Sequence, residues 1–170
     1  MQNFDMSTLT TGSTAPNFNL SSMGADGPEM VSLESALQDG PVVLLFVPAA
    51  FTGVCTKEFC DITASYAEYE ALGATVIGIS GDSPFAQAAW AEKEGIKLRL
   101  VSDYDHSVAR AYGVAYDSFL PEKNLPLSGV SKRSAFVIAK DGTVAHAEVL
   151  ESPGDMPDFA KVKAALEGLK

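Results

Sequence analysis

Six consecutive apolar residues, Val42-Val43-Leu44-Leu45-Phe46-Val47, end abruptly at Pro48. A run so rich in β-branched and large aliphatic side chains reads as a buried strand, and a proline cannot continue the hydrogen-bonded ladder. Past it, residues 58–72 carry apolar positions at helical spacing. The chain therefore goes from buried strand through a short loop into a helix, a unit that belongs in an α/β sheet.

The rest of the sequence fits that frame. Residues 18–20 and 30–33 flank the turn-forming stretch 24–28 and predict an N-terminal β-hairpin. Strand 42–47 is then followed by a helix over about 53–72, a strand over 75–80 and a helix over 84–93, capped by Ser83 with Pro84 in its first position. A strand over 98–101 precedes a helix over about 106–112, capped by Asp105 and closed by Gly113. A long loop holding Pro121 and Pro126 leads into strands 134–139 and 143–150, joined by the turn Lys140-Asp141-Gly142. Asp155 is expected to open the last helix, with Pro157 in its first turn. Strands alternating with helices, then a terminal hairpin and helix, predict one α/β domain over 1–170, with a mixed central sheet and helices on both faces. Residues 1–12, weakly patterned and rich in Ser and Thr, are expected to be a loose arm.

Several function classes are excluded early. The net charge of −10, with scattered Lys and Arg, opposes a phosphate backbone, so nucleic acid is not an expected partner. Apolar runs are far short of a membrane span and the first seven residues lack the pattern of a secretion signal, which makes the cytoplasm the expected location. His106 and His146 have no partners at ligand spacing, and no glycine-rich phosphate fingerprint occurs, so neither metal nor organic cofactor is expected. Trp90, set among alanines on its predicted helix, reads as core.

The two cysteines, Cys55 and Cys60, lie just beyond the buried strand. A bridge between them would close only a tiny loop, so a redox role fits better than a structural staple. Cys55 falls in the first helical turn, where unpaired backbone N–H groups and the helix dipole favour an anion such as a thiolate.

Pro48, Thr52 and Cys55 reproduce the P-x-x-x-T-x-x-C signature, and by it the chain resembles the peroxiredoxins. Thr56-Lys57-Glu58-Phe59-Cys60 is similar to the peroxiredoxin Q, or bacterioferritin comigratory protein, subgroup. The likeness continues through Ala15-Pro16-Asn17-Phe18, Gly78-Ile79-Ser80, Ser102-Asp103, residues 108–114 and residues 133–138. The loop Pro48-Ala49-Ala50-Phe51-Thr52-Gly53-Val54-Cys55 is closer to peroxiredoxin 5 and bacterial one-cysteine types, which leaves the subgroup open.

The resemblance implies a thioredoxin-like fold and a set of roles. Cys55 is the implied peroxidatic nucleophile. Thr52 would donate to and accept from the peroxide, Pro48 would shield the sulfur without a donor of its own, and Arg133 would supply a permanent charge and forked donors. Glu58 is the candidate that orients the arginine. Cys60 would resolve the sulfenic acid as an intramolecular disulfide, recycled by a thioredoxin-type dithiol. Plainer roles stay open: Cys60 packing in its helix, Thr52 as a cap, Pro48 as a strand terminator and Arg133 as a surface charge.

The expected function is thus a thiol peroxidase acting on hydrogen peroxide or small organic hydroperoxides, as a monomer or homodimer. A one-cysteine peroxidase with Cys60 a bystander is the nearest alternative. A general thiol–disulfide oxidoreductase is disfavoured because the spacing is C-x4-C rather than C-x-x-C, and a redox sensor or holdase because no extra interaction segment is evident.

Overall fold

In the computed structural model, which describes residues 8–170, seven strands form one mixed sheet. They are β1 (Asn19–Gly24), β2 (Gly27–Ser32), β3 (Val42–Phe46), β4 (Thr75–Ser80), β5 (Arg99–Ser102), β6 (Ser134–Ile138) and β7 (Val144–Val149), in the order β2-β1-β5-β4-β3-β6-β7. β3, β4 and β5 are parallel, while β6 runs antiparallel to β3 and pairs Ser134 with Phe46. The helices are α1 (Leu33–Ala36), α2 (Gly53–Ala64), α3 (Tyr66–Ala71), α4 (Pro84–Glu94), α5 (Ser107–Ala111) and α6 (Phe159–Glu167).

Every residue of β3 is buried, and the period of two sends its side chains alternately into two cores. Val43 and Leu45 meet Phe59, Ile62, Tyr69, Trp90, Val162 and Leu166, drawn from α2, α3, α4 and α6. Val42, Leu44 and Phe46 meet Leu33, Val108, Ala109 and Tyr112, around α1 and α5. Helices therefore cover both faces, as the continuous apolar run requires. Gly78 in β4 lets α2 come close: a Cβ there would lie 2.7 Å from the Phe59 ring and 2.8 Å from Leu100.

Four local expectations need correction. The helix expected over 53–72 breaks at Ser65, whose backbone leaves the helical region at φ −104°, ψ 13°, while its N–H and its hydroxyl both still donate to the Asp61 carbonyl. The last helix begins at Phe159, because Asp158 rather than Asp155 accepts the N–H groups of Ala160 and Lys161; Pro157 precedes that cap. Asp105 accepts only from Ser107 at the start of α5, whereas the buried Asp103 carboxylate accepts from Val108 and Ala109. The loose arm is not loose over residues 8–12: Thr8 Oγ1 donates to the Gly113 carbonyl at 3.2 Å and Gly12 N–H to the Val144 carbonyl at 2.8 Å. Residues 1–7 lie outside the described residues.

The hairpins agree with the sequence. Gly142 takes φ +90° in the turn between β6 and β7, and Asp141 accepts from the Thr143 N–H.

Candidate active site

Strand register brings the distant arginine to the cysteine. β3 ends where α2 is about to begin, and its antiparallel partner β6 starts at that same end, so Arg133, one residue before β6, lies beside the loop after Val47. Ser131 Oγ donates to the Val47 carbonyl at 2.9 Å and ties the two segments together.

Cys55, in the first turn of α2, is 1% exposed, and Arg133 Nη2 stands 3.3 Å from its Sγ. The guanidinium is pinned from two more directions. Nη1 donates to Glu58 Oε2 at 2.7 Å, and Nη2 also donates to the Pro153 carbonyl at 3.0 Å. Glu58 lies one turn after Cys55 on the same helix face, which is why a single fork can reach both. Burial opposes the Arg133 charge, yet Cys55 and Glu58 together hold its proton more firmly than usual. The guanidinium is thereby fixed with its charge and an N–H donor facing the sulfur.

Glu58 is completely buried, and loss of solvent lifts its carboxyl to about 7, with Arg133 opposing the rise. Folded protein then binds this proton more tightly than unfolded protein, so stability is expected to fall as pH rises from about 4.5 to about 7. The loss attached to this group is on the order of 3 kcal/mol. Denaturant midpoints across that window are expected to decline, and Glu58→Gln to flatten the decline. An equal slope in both proteins would mean that Arg133 keeps the carboxylate ionised throughout.

Pro48 is buried beside the sulfur and offers no N–H. Thr52 is the N-cap residue of α2, but its hydroxyl donates to the Ala49 carbonyl at 2.7 Å and makes no capping bond. That bond uses the hydroxyl proton, and Thr52 lines the cleft over Cys55. Phe51 between them adopts φ +62°, a left-handed conformation that costs a bulky residue about 1 kcal/mol. Its ring packs at 6.5 Å from Trp90, with Lys93 over it at 5.8 Å. Trp90 is fully buried, as expected of core, and its indole N–H donates to Thr56 Oγ1 at 3.0 Å.

Cys60 lies one turn deeper in α2, partly buried against the core, with its thiol donating weakly to the Glu94 carbonyl at 3.7 Å. Burial, then the Glu94 and Asp61 carboxylates, push this thiol up. Both cysteines are free. The structure thus gathers Pro48, Thr52, Cys55, Glu58 and Arg133 at one place and leaves Cys60 on another side of the same helix.

Residues missed from the sequence complete the site. A cleft of about 250 Å³ opens over Cys55 between Pro48, Thr52, Arg133 and a wall of Phe119, Leu120 and Leu125. Those three belong to the long loop, where no periodicity marks them, and Pro153 contributes only a carbonyl, which no side-chain motif encodes. Among the described residues no cluster of acidic, His or Cys side chains could hold a metal ion.

The AhpC/TSA family profile matches residues 11–147. A chloroplastic peroxiredoxin Q from Triticum aestivum is 39% identical over 138 residues, which cover 81% of this chain and 58% of the wheat protein. The chain thus spans less than two thirds of that relative. Alkyl hydroperoxide reductase E of Mycobacterium bovis is 30% identical over 152 residues, covering 88% of this chain and 91% of its own. The crystal structure of peroxidoxin BcpB from Mycobacterium tuberculosis has the same thioredoxin-like fold, with a TM-score of 0.81 and 33% identity over 95% of this chain and 99% of that one. The signature around Cys55, the profile and a fold shared over nearly the whole length show that the chain belongs to the AhpC/TSA family, among its peroxiredoxins.

Proposed function

We propose that this chain is a thiol-dependent peroxidase that reduces hydrogen peroxide and small organic hydroperoxides at Cys55. The observation that carries the reading is the Arg133 guanidinium, 3.3 Å from Sγ and held there by Glu58 and the Pro153 carbonyl. The Cys55 thiolate attacks the distal oxygen, an S–O bond forms as the O–O bond breaks, and the electron pair leaves on the alkoxide or hydroxide, which takes a proton. Cys55 becomes a sulfenic acid and the product an alcohol or water. Arg133 and the free N–H groups of the first turn of α2 face the charge that develops, and the Thr52 oxygen accepts from the peroxide O–H. Pro48 and the wall of Phe119, Leu120 and Leu125 keep water away and give an alkyl group an apolar seat.

Cys60 then attacks the sulfenic sulfur, releasing water and forming a disulfide, and a thioredoxin-type dithiol returns both cysteines to thiols. A second reading has one specific observation behind it: Cys60 already has packing partners and a carbonyl acceptor, which suits a bystander in a one-cysteine enzyme. Stopped-flow oxidation of reduced protein by hydrogen peroxide and an alkyl hydroperoxide, with intact mass after each, tests both. Loss of two hydrogens is expected for the parent, whereas Cys60→Ser should gain one and then two oxygens at Cys55. A parent that gains oxygen without forming the disulfide would favour the one-cysteine reading. Rapid reduction of insulin with negligible peroxide consumption would instead make the chain a general thiol–disulfide oxidoreductase. Placement in the cytoplasm belongs to the same proposal and is checked by cell fractionation.

A further inference from the structure

The loop that carries Thr52 holds a strained residue, and its restraint comes from outside the signature. Phe51 sits at φ +62°, and a bulky side chain stays there only where its neighbours are fixed. One anchor is internal, the Thr52 hydroxyl on the Ala49 carbonyl. Another, Ser131 on Val47, acts at the strand end. The anchor adjacent to Phe51 is Asp82, two residues past the C-terminal end of β4, whose Oδ2 accepts the Ala50 N–H at 2.8 Å across 32 residues of chain. Ala50 is buried, so without Asp82 its N–H would have no acceptor there.

Asp82 is itself held in place. Its carbonyl accepts from Ser102 Oγ at 2.7 Å, and just past the end of β5 the Asp103 N–H donates to the Ser80 carbonyl at 2.8 Å. Gly81 packs so tightly on the His106 ring that a Cβ there would lie 2.4 Å from Cε1. The carboxylate is thus delivered from the ends of β4 and β5 to the loop that leads into α2.

We propose that Asp82 is a positioning residue for peroxide reduction: by fixing the Ala50 peptide it sets the shape of residues 48–52, and with it the place of the Thr52 oxygen and the first-turn N–H groups relative to Cys55 Sγ. It touches neither the sulfur nor the peroxide. The proposal rests on Cys55 being the reacting group. Its effect should fall on reactions that need all the loop's groups aligned on two oxygens, and spare those that need only the sulfur.

The test uses the Cys60→Ser background, so that only Cys55 reacts, and compares two rates: oxidation by hydrogen peroxide and alkylation by iodoacetamide. Asp82→Ala is expected to slow peroxide oxidation about 10- to 100-fold while alkylation stays within about threefold. Asp82→Asn keeps an acceptor oxygen in place without the charge and should stay within about threefold of the parent in both. If the alanine variant does not fold, Asp82→Ser, whose hydroxyl is too short to reach Ala50, takes its place under the same expectation. An alanine or serine variant oxidised at the parental rate overturns the proposal. So does an equal loss in both reactions, which marks a merely structural residue, or an asparagine variant as slow as the alanine one, which marks the charge. A parent that peroxide fails to oxidise would instead overturn the assignment of Cys55.

Discussion

Cys55→Ser is expected to lower peroxide consumption at least about a thousandfold, to the background of the solution reaction. A hydroxyl at this position supplies almost no anion at neutral pH and no sulfur to carry the transferred oxygen. The loss corresponds to about 4 kcal/mol in the barrier, far more than a missing hydrogen bond would explain. Folding should survive, since serine fills nearly the same space and Arg133 keeps its bonds to Glu58 and Pro153. The measurement is peroxide loss with a dithiol reductant, next to the thermal midpoint of each protein. A serine variant with near-parental turnover would remove Cys55 from the mechanism and leave Cys60 as the sole thiol able to replace it.

The second large effect is conformational. Cys55 and Cys60 both lie within α2, and residues five apart on a regular helix are separated by about 7.5 Å of rise and roughly 140° of rotation, so their Cα atoms are more than about 8 Å apart. A disulfide needs about 7 Å or less. Joining them must unwind the first turns of α2, separate Sγ from Arg133 and disturb the bond from Trp90 to Thr56. Amide exchange over residues 53–63 is expected to quicken on the order of 100-fold in the disulfide form, while the central strands keep their protection. Emission from Trp90, the chain's single tryptophan, should shift together with it. Equal exchange in the reduced and oxidised proteins would rule out an intramolecular bridge of this kind.

Local chemistry was readable wherever one signal stood alone. The strand at 42–47, the Ser83-Pro84 start of α4 and the Asp141-Gly142 turn each have a single strong cue, and each appears where expected. Where two residues compete, the sequence could not choose. Asp155 and Asp158 are both able caps, as are Asp103 and Asp105, and the winners are those that tertiary packing aims at free N–H groups. α1 is only four residues long and leaves no periodicity to detect. The site was legible as a motif from Pro48 to Cys55, and Arg133 and Glu58 came through family likeness. Their meeting at Sγ depends on the pairing of Phe46 with Ser134, a long-range register that no local pattern contains. Asp82, Pro153 and the Phe119 wall were invisible for the same reason.

The Pro153 carbonyl bears on where this unit can be cut. The family profile ends at residue 147, six positions before Pro153, and α6, whose Val162 and Leu166 fill the core beneath α2, lies wholly beyond it. The stretch matched by the profile is therefore shorter than the stretch needed to assemble an intact pocket. Grafts, fusions and loop exchanges planned from the profile's borders would leave Arg133 without one of its three acceptors, so any transplant of this chemistry should carry the chain through α6.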